Sequence, residues 1–233
     1  MDAAVADVAG LTGSELRHEA KPVEGGSEVD WTLPSGWLSV SGVPLAKAGD
    51  PAGQAIDLSP FARDGRLIWR APEGRWETIA VFSRKVVPSL DPTHPASGRA
   101  YTERFFAPFE KVFPGQGGRT LNFFFSDELD FRLPRLIWSE RLADEFRARK
   151  GYDLRPELAA LFVDIGPRTP KVRLDYNDVR VALSEENFFR PVFAWHEARG
   201  MIYGCDHGGR GLDVTEFGDY FRTQRWTLGP GND

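Results

Sequence analysis

Leu121-Asn122-Phe123-Phe124-Phe125-Ser126-Asp127-Glu128-Leu129-Asp130-Phe131 is the stretch on which the fold turns. With Thr120 it opens as a continuous apolar run, the pattern of a strand covered on both faces. It then runs directly into two carboxylates. Such a strand predicts a parallel α/β arrangement, where chemistry sits on the loops after the C-terminal strand ends. Asp127 and Glu128 are expected to project into a cleft above buried scaffolding. A plainer role fits too, because an Asp just before a helix caps its first amides. Glu is the poorer cap, so Glu128 is the stronger functional candidate.

Working outward, Tyr101, Phe105, Phe109 and Val112 recur at spacings of three and four and predict a helix over 97–113. Pro108 should bend it or start a second segment. After Pro134 a second helix is expected, with Trp138, Leu142 and Phe146 on one face and Gly151 just past its end. A third, over 175–199, carries Val179, Leu183, Phe189 and Phe193, with a kink at Pro191 and a stop at Gly200. The next strand, Met201 to Cys205, ends in Asp206-His207. If both strands share one sheet, Asp127, Glu128, Asp206 and His207 rise from the same rim.

Beyond that rim stands Gly208-Gly209-Arg210-Gly211. Glycines let a ligand approach the backbone, with His207 and Arg210 as donors, although a flexible turn explains them equally well. No Gly-Lys-Ser/Thr follows, so this is not a phosphate-binding loop. Asp213, Glu216 and Asp219 could offer oxygen ligands to calcium, or form a solvated loop. Trp226 and the final Gly-Pro-Gly-Asn-Asp could line the cleft or make the next turn. Cys205 reads as a small buried apolar residue. Glu186 and Arg190, four apart on a helix, make a surface ion pair.

The first half reads differently. Residues 1–30 are Gly- and Glu-rich with weak periodicity and are expected to be irregular. Residues 31–90 look β-rich, and Trp31-Thr-Leu-Pro-Ser-Gly-Trp37 is echoed by Trp69-Arg-Ala-Pro-Glu-Gly-Arg-Trp76. Each copy reads as strand, Pro-x-Gly turn, strand. Asp64-Gly65 adds a hairpin signal. The stretch 88–97, with three prolines, reads as a linker to a region at 95–233.

The totals bound the partners. Net charge is −5, so no basic footprint points to nucleic acid, and no basic amphipathic stretch points to a membrane surface. No run of about 18 apolar residues suggests a transmembrane helix. The first 20 residues lack a signal-peptide pattern, which makes the chain cytoplasmic as written. One cysteine excludes an internal disulfide. The seven Trp and 17 Phe are more expected in a core than on a sugar platform.

Several segments resemble glycoside hydrolase family 106, the α-L-rhamnosidase-like proteins. They are FFFSDE (123–128), WSERLADEFRARKGYDLRPELAALF (138–162), LDYNDVRVALSEENFFRPVFAWHEARGMIYGCDH (174–207) and GPGND (229–233), with DLSPFARDGRLIWRAPEGRWETIAVF (57–82) upstream. The likeness covers roughly residues 55–233. It implies a (β/α) barrel preceded by β-rich accessory structure, action on terminal α-L-rhamnose, an inverting mechanism and a contribution from calcium. It also implies Glu128 as general acid and Glu216 as the second carboxylate, while Asp127, Asp206, His207, Arg210 and Trp226 would position the carbohydrate. The segment CDHGGRGLDVTEF (205–217) departs from the family's usual pattern, which bears on Glu216. The expected fold class is therefore α/β, a partial TIM-barrel-like region after a small β-rich region. A complete barrel needs roughly 200 residues or more, so the chain is expected to be a piece of a larger enzyme that self-associates or needs the missing part. The alternatives are a non-catalytic carbohydrate-binding protein that uses the Trp-rich region, or a glycosidase of the same fold with another sugar specificity.

Overall fold

Segment 14–24 contains Pro, Gly-free charge runs and few β-branched residues, yet it is a strand in the computed structural model. The structure describes residues 10–46, 53–207 and 219–231, apart from the side chains of Glu128 and His207. Strand β1 (Ser14–Glu24) is thus regular where an irregular segment was expected, while residues 1–9 of that segment lie outside the described residues. Its neighbour in the sheet supplies the backbone partners that its own propensity would not demand.

β2 (Glu28–Thr32) alternates strictly, with Val29 and Trp31 buried and the residues between them exposed. β3 (Trp37–Leu45), β4 (Ile56–Asp57), β5 (Ala62–Arg63), β6 (Arg66–Arg70) and β7 (Arg75–Lys85) follow. The two echoed turns are present, with Gly36 and Gly74 at positive φ of 75° and 106°. They do not make hairpins. β2 pairs with β6, and β3 pairs with β7, both antiparallel. Each turn thus carries the chain from one sheet to another: β2-β6-β5 on one side, β4-β3-β7-β1 on the other. Trp31, Trp69, Val40, Leu67 and Ala80 fill the core, with Trp37 and Trp76 packed against it. Asp64-Gly65 does form its hairpin. Both residues have positive φ, and Ala62 faces Leu67 while Arg63 faces Arg66.

The second half is built on helices and parallel strands. Helix α1 (Ser97–Tyr101) passes through a wide π-turn, Thr102–Phe106, into α2 (Ala107–Val112). Pro108 has no N–H to give the preceding turn, and the ladder widens just before it. Strand β8 (Phe123–Leu129) follows. Next comes β9 (Ile137–Trp138), paired antiparallel with Ser14 and Glu15. Trp138 is therefore on a strand rather than on the expected helix, because α3 starts only at Glu140 and runs to Lys150. Gly151, at φ 79°, closes it as a C′ residue. α4 (Thr169–Ser184) starts earlier than the periodicity suggested. It continues through a second π-turn, Glu185–Phe189, into α5 (Arg190–Glu197). Pro191 stands just after that turn, as Pro108 does after the first.

β10 (Ile202–His207), α6 (Tyr220–Gln224) and β11 (Gly229–Pro230) complete the described chain. β10 lies between β8 and β11 and is parallel to both. One face of this sheet packs Leu129, Tyr203 and Cys205 against Tyr101, Phe106, Phe188, Phe189 and Val192. The other face leaves Phe123, Phe125 and Ile202 exposed. The apolar run is thus covered on one side only, which corrects the expectation of burial on both.

Contacts divide the chain into two units. One is Leu16–Arg84 with Ala143–Tyr176; the other is Met1–Glu15 with Lys85–Leu142 and Asn177–Asp233. Both are discontinuous in sequence, unlike the simple succession 1–30, 31–90 and 95–233. The class is mixed α/β, and among the described residues no closed barrel is formed.

Candidate functional site

The parallel register decides where the acidic groups go. Phe123 faces Ile202, Phe124 faces Tyr203, Phe125 faces Gly204 and Ser126 faces Cys205. The register then shifts, and the next pair is Leu129 with His207. Asp127 and Glu128 on β8 consequently stand opposite the single residue Asp206 on β10. This is a β-bulge, a device common beside functional sites because it re-aims side chains and ends pairing. Both strands belong to one parallel sheet, end at the same level and point the same way.

Asp127 is exposed at that rim. Asp206 is buried, with 8% of its surface exposed. Gly231, just past β11, donates its N–H to the Cys205 carbonyl. A Cβ at Gly231 would lie 2.9 Å from the Asp206 Cβ and 2.6 Å from the Phe125 ring, so only glycine fits there. The Gly-Pro-Gly stretch therefore brings a third strand end against Asp206. Gly204 plays a similar part under Phe125, whose Cδ2 would be 2.6 Å from an added Cβ.

Behind the rim is a buried hydroxyl cluster. Tyr203 donates to Ser126 Oγ at 3.1 Å, and the Tyr101 hydroxyl lies 3.1 Å from the same oxygen. Burial drives the Tyr203 phenol well above its ordinary pKa and pushes the Cys205 thiol up to about 12. Cys205 is thus no nucleophile at neutral pH.

The remaining candidates are scattered. The backbones of Glu128 and His207 stand in β8 and β10, while Arg210 and Glu216 lie outside the described residues. Trp226 is half-buried, and its indole N–H donates to Glu185 Oε1 at 3.1 Å. Glu185, read in the sequence only as part of a helix, is buried in the second π-turn. Its Oε1 also accepts from Arg225, and its Oε2 accepts from Arg222 Nε at 3.0 Å. Nothing local announces a carboxylate whose cationic partners lie some forty residues away.

Asp91 was also missed. It is buried at 7% exposure, and its Oδ1 accepts from the Thr93 amide at 2.9 Å and hydroxyl at 2.6 Å. Burial raises its pKa despite those bonds. Its place in the Asp-Pro-Thr turn reads as an anchor for the start of α1, beside the chain leaving β8, where Leu90 donates to the Phe131 carbonyl. Phe131 and Leu133 of that exit chain line a cleft together with Pro92 and Arg180.

Calcium finds no ligand set among the described residues, where no three His, Cys, Asp or Glu side chains gather. Asp213 lies outside them. Asp219 caps α6 through the Arg222 amide. No helix among the described residues is long and apolar enough to cross a membrane. Neither a family model nor a curated protein sequence matches the chain. Among solved structures the chain is similar to a rhamnosidase from Novosphingobium sp. PP1Y, at 20% identity and a TM-score of 0.45 over 66% of this chain, a part that amounts to 16% of that enzyme.

Proposed function

We propose that the chain is a glycoside hydrolase-like unit acting on terminal α-L-rhamnosyl residues, with Glu128 as general acid. The observation that carries this reading is the bulge that sets Asp127 and Glu128 against Asp206 at one end of a parallel sheet. Glycoside cleavage needs one carboxylic acid to protonate the leaving oxygen and a second carboxylate to activate water or attack. The resemblance of FFFSDE and the segments around it to the α-L-rhamnosidase-like family supplies the sugar. In this reading the three parallel strands, covered by helices on one face, are an arc of a (β/α) barrel whose open face looks inward.

An inverting reaction has Glu128 protonate the glycosidic oxygen while a carboxylate on the opposite side of the sugar takes a proton from the attacking water. Glu216 is the partner for that second role. Asp127, Asp206, His207, Arg210 and Trp226 would hold the ring. The partner is a carbohydrate. A purely sugar-binding role for the Trp-rich region has less support, since Trp31 and Trp69 are buried and Trp37 and Trp76 pack on the same core.

The test is hydrolysis of aryl α-L-rhamnosides, with aryl β-D-glucosides and α-L-arabinosides as controls. Glu128→Gln should lower kcat by about 10²–10⁴-fold, the span of a lost general acid. The released sugar should be the β-anomer on first appearance by NMR. Hydrolysis that survives Glu128→Gln removes the acid from this reading. Sugar binding without any hydrolysis favours the non-catalytic alternative, and cleavage of another glycoside favours a different specificity.

A further inference from the structure

We infer that the hydroxyl cluster of Tyr101, Ser126 and Tyr203 is a positioning device that sets the bulge carrying Asp127 and Glu128. The inference rests on the reading of that acidic pair as functional. Ser126 is the last residue of β8 before the register shift, paired with Cys205. Its Oγ lies 3.1 Å from the hydroxyls of both Tyr101, from helix α1, and Tyr203, from the neighbouring strand β10. All three side chains are buried, with 3%, 6% and 1% of their surfaces exposed for Tyr101, Ser126 and Tyr203.

A polar cluster in this place is costly unless it does something an apolar one would not. Its surroundings are aromatic: Tyr101 packs on Phe105, Phe106 and Phe188, and Tyr203 packs on His196 and Phe106. A valine or alanine would fill the Ser126 site without needing partners. What the hydroxyls add is direction. A bulge is defined by where pairing slips, and β8 could slip at any residue between Phe125 and Leu129. Fixing Ser126 from two sides pins its side chain to the helix-covered face. Leu129 is pinned on the same side by the core it shares with Phe131 and Phe188. Two anchors on one face, three residues apart, cannot both be met by plain alternation, which returns to a face every second residue. One residue more than alternation allows must stand between them, so the surplus falls at Asp127-Glu128. The cluster and Leu129 together therefore place the irregularity, and with it the backbone of residues 127 and 128, opposite Asp206.

The experiment reads the acidic pair directly and does not need turnover. In the full chain, the carboxyl carbons of Asp127 and Glu128 are titrated by NMR, and amide hydrogen exchange is followed at 127–129. Ser126→Ala and Tyr101→Phe are compared with Val192→Ala, a truncation in the same core that leaves the cluster whole. Ser126→Ala should move at least one of the two titration midpoints by about half a unit or more. It should also speed exchange at 127–129 by about tenfold over the rest of β8. Tyr101→Phe should do the same to a smaller degree, and Val192→Ala should do neither at matched loss of stability. Unchanged midpoints and exchange in both cluster variants would overturn the inference, as would equal changes in Val192→Ala. Because these readouts precede any reaction, a chain that hydrolyses no rhamnoside would sink the proposed activity while leaving the positioning role to be judged on its own result.

Discussion

His196 shows how a single residue can make this fold sensitive to acid. It is fully buried in α5, ringed by Phe106, Phe124, Trp195 and Tyr203. Its Nδ1 hydrogen is donated to the Val192 carbonyl at 2.8 Å, while Nε2 has no hydrogen-bond partner among the described residues. Burial lowers its pKa from the ordinary 6.5 to about 4, outweighing the Val192 bond, with Arg199 adding to the fall. The neutral ring is therefore the one the folded state wants. The unfolded chain binds the proton more readily, so the stabilisation is whole above pH 6.5 and is lost as pH falls from 6.5 to 4. A shift of this size corresponds to about 3 kcal/mol across that window. Urea unfolding at stepped pH should show the decline. His196→Phe should flatten it, because that ring carries no proton into the core; a decline of the same size in the variant would mean that other groups are responsible.

At the scale of elements, the link between the second π-turn and α6 is the feature most open to test. Glu185 sits on the turn, and Arg222, Arg225 and Trp226, on and just after α6, all reach it. Only 5% of the Glu185 side chain is exposed, against 34% for Arg222 and 58% for Arg225. Glu185→Ala leaves both guanidiniums able to turn to water, so the loss should be about 2 kcal/mol rather than the larger penalty of a sealed ion pair. Red-shifted Trp226 emission and faster amide exchange at 219–231 should accompany it, and a variant unchanged in all three would show that the link contributes nothing. Elements differ in how far their sequence foretells such partners. The Asp64-Gly65 hairpin was legible because a two-residue turn fixes its own register. The Pro-x-Gly turns at 34–36 and 72–74 were legible as turns but not as crossings between sheets, since a strand's partner depends on what else is folded beside it. Trp138 looked helical by spacing and became a strand because Ser14 and Glu15 offered an edge. The rim at Asp127 and Asp206 could be expected from two strand ends; the bulge that aligns them could not, because its anchors, Ser126 and Leu129, are held by tertiary contacts.

The molecule as a whole is marked by what its parallel sheet leaves uncovered. All-parallel sheets are as a rule buried on both faces, because their crossovers lay helices on each side. Here the helices cover only the side of Tyr203 and Cys205. On the other, Phe123, Phe125 and Ile202 keep 50%, 40% and 43% of their surface exposed, and Phe109, Val112 and Phe113 on and after α2 are exposed as well. Scattered apolar residues need no explanation, but contiguous aromatics on a sheet face are a site of association. β8 adds an edge, since among the described residues it pairs only with β10. The chain should therefore bind an apolar dye such as ANS while retaining its near-UV dichroism, and its sedimentation should depend on concentration. Phe123→Ser with Ile202→Thr should weaken both effects while leaving the helix-covered core intact, because neither side chain belongs to it. Phe125 is left in place in this test since it packs over Gly204 and Gly231, and its loss would disturb Asp206 too. If the doubly substituted chain still associates as strongly, the uncovered face is not what draws copies together, and the exposed ridge of Phe109, Val112 and Phe113 becomes the surface to change.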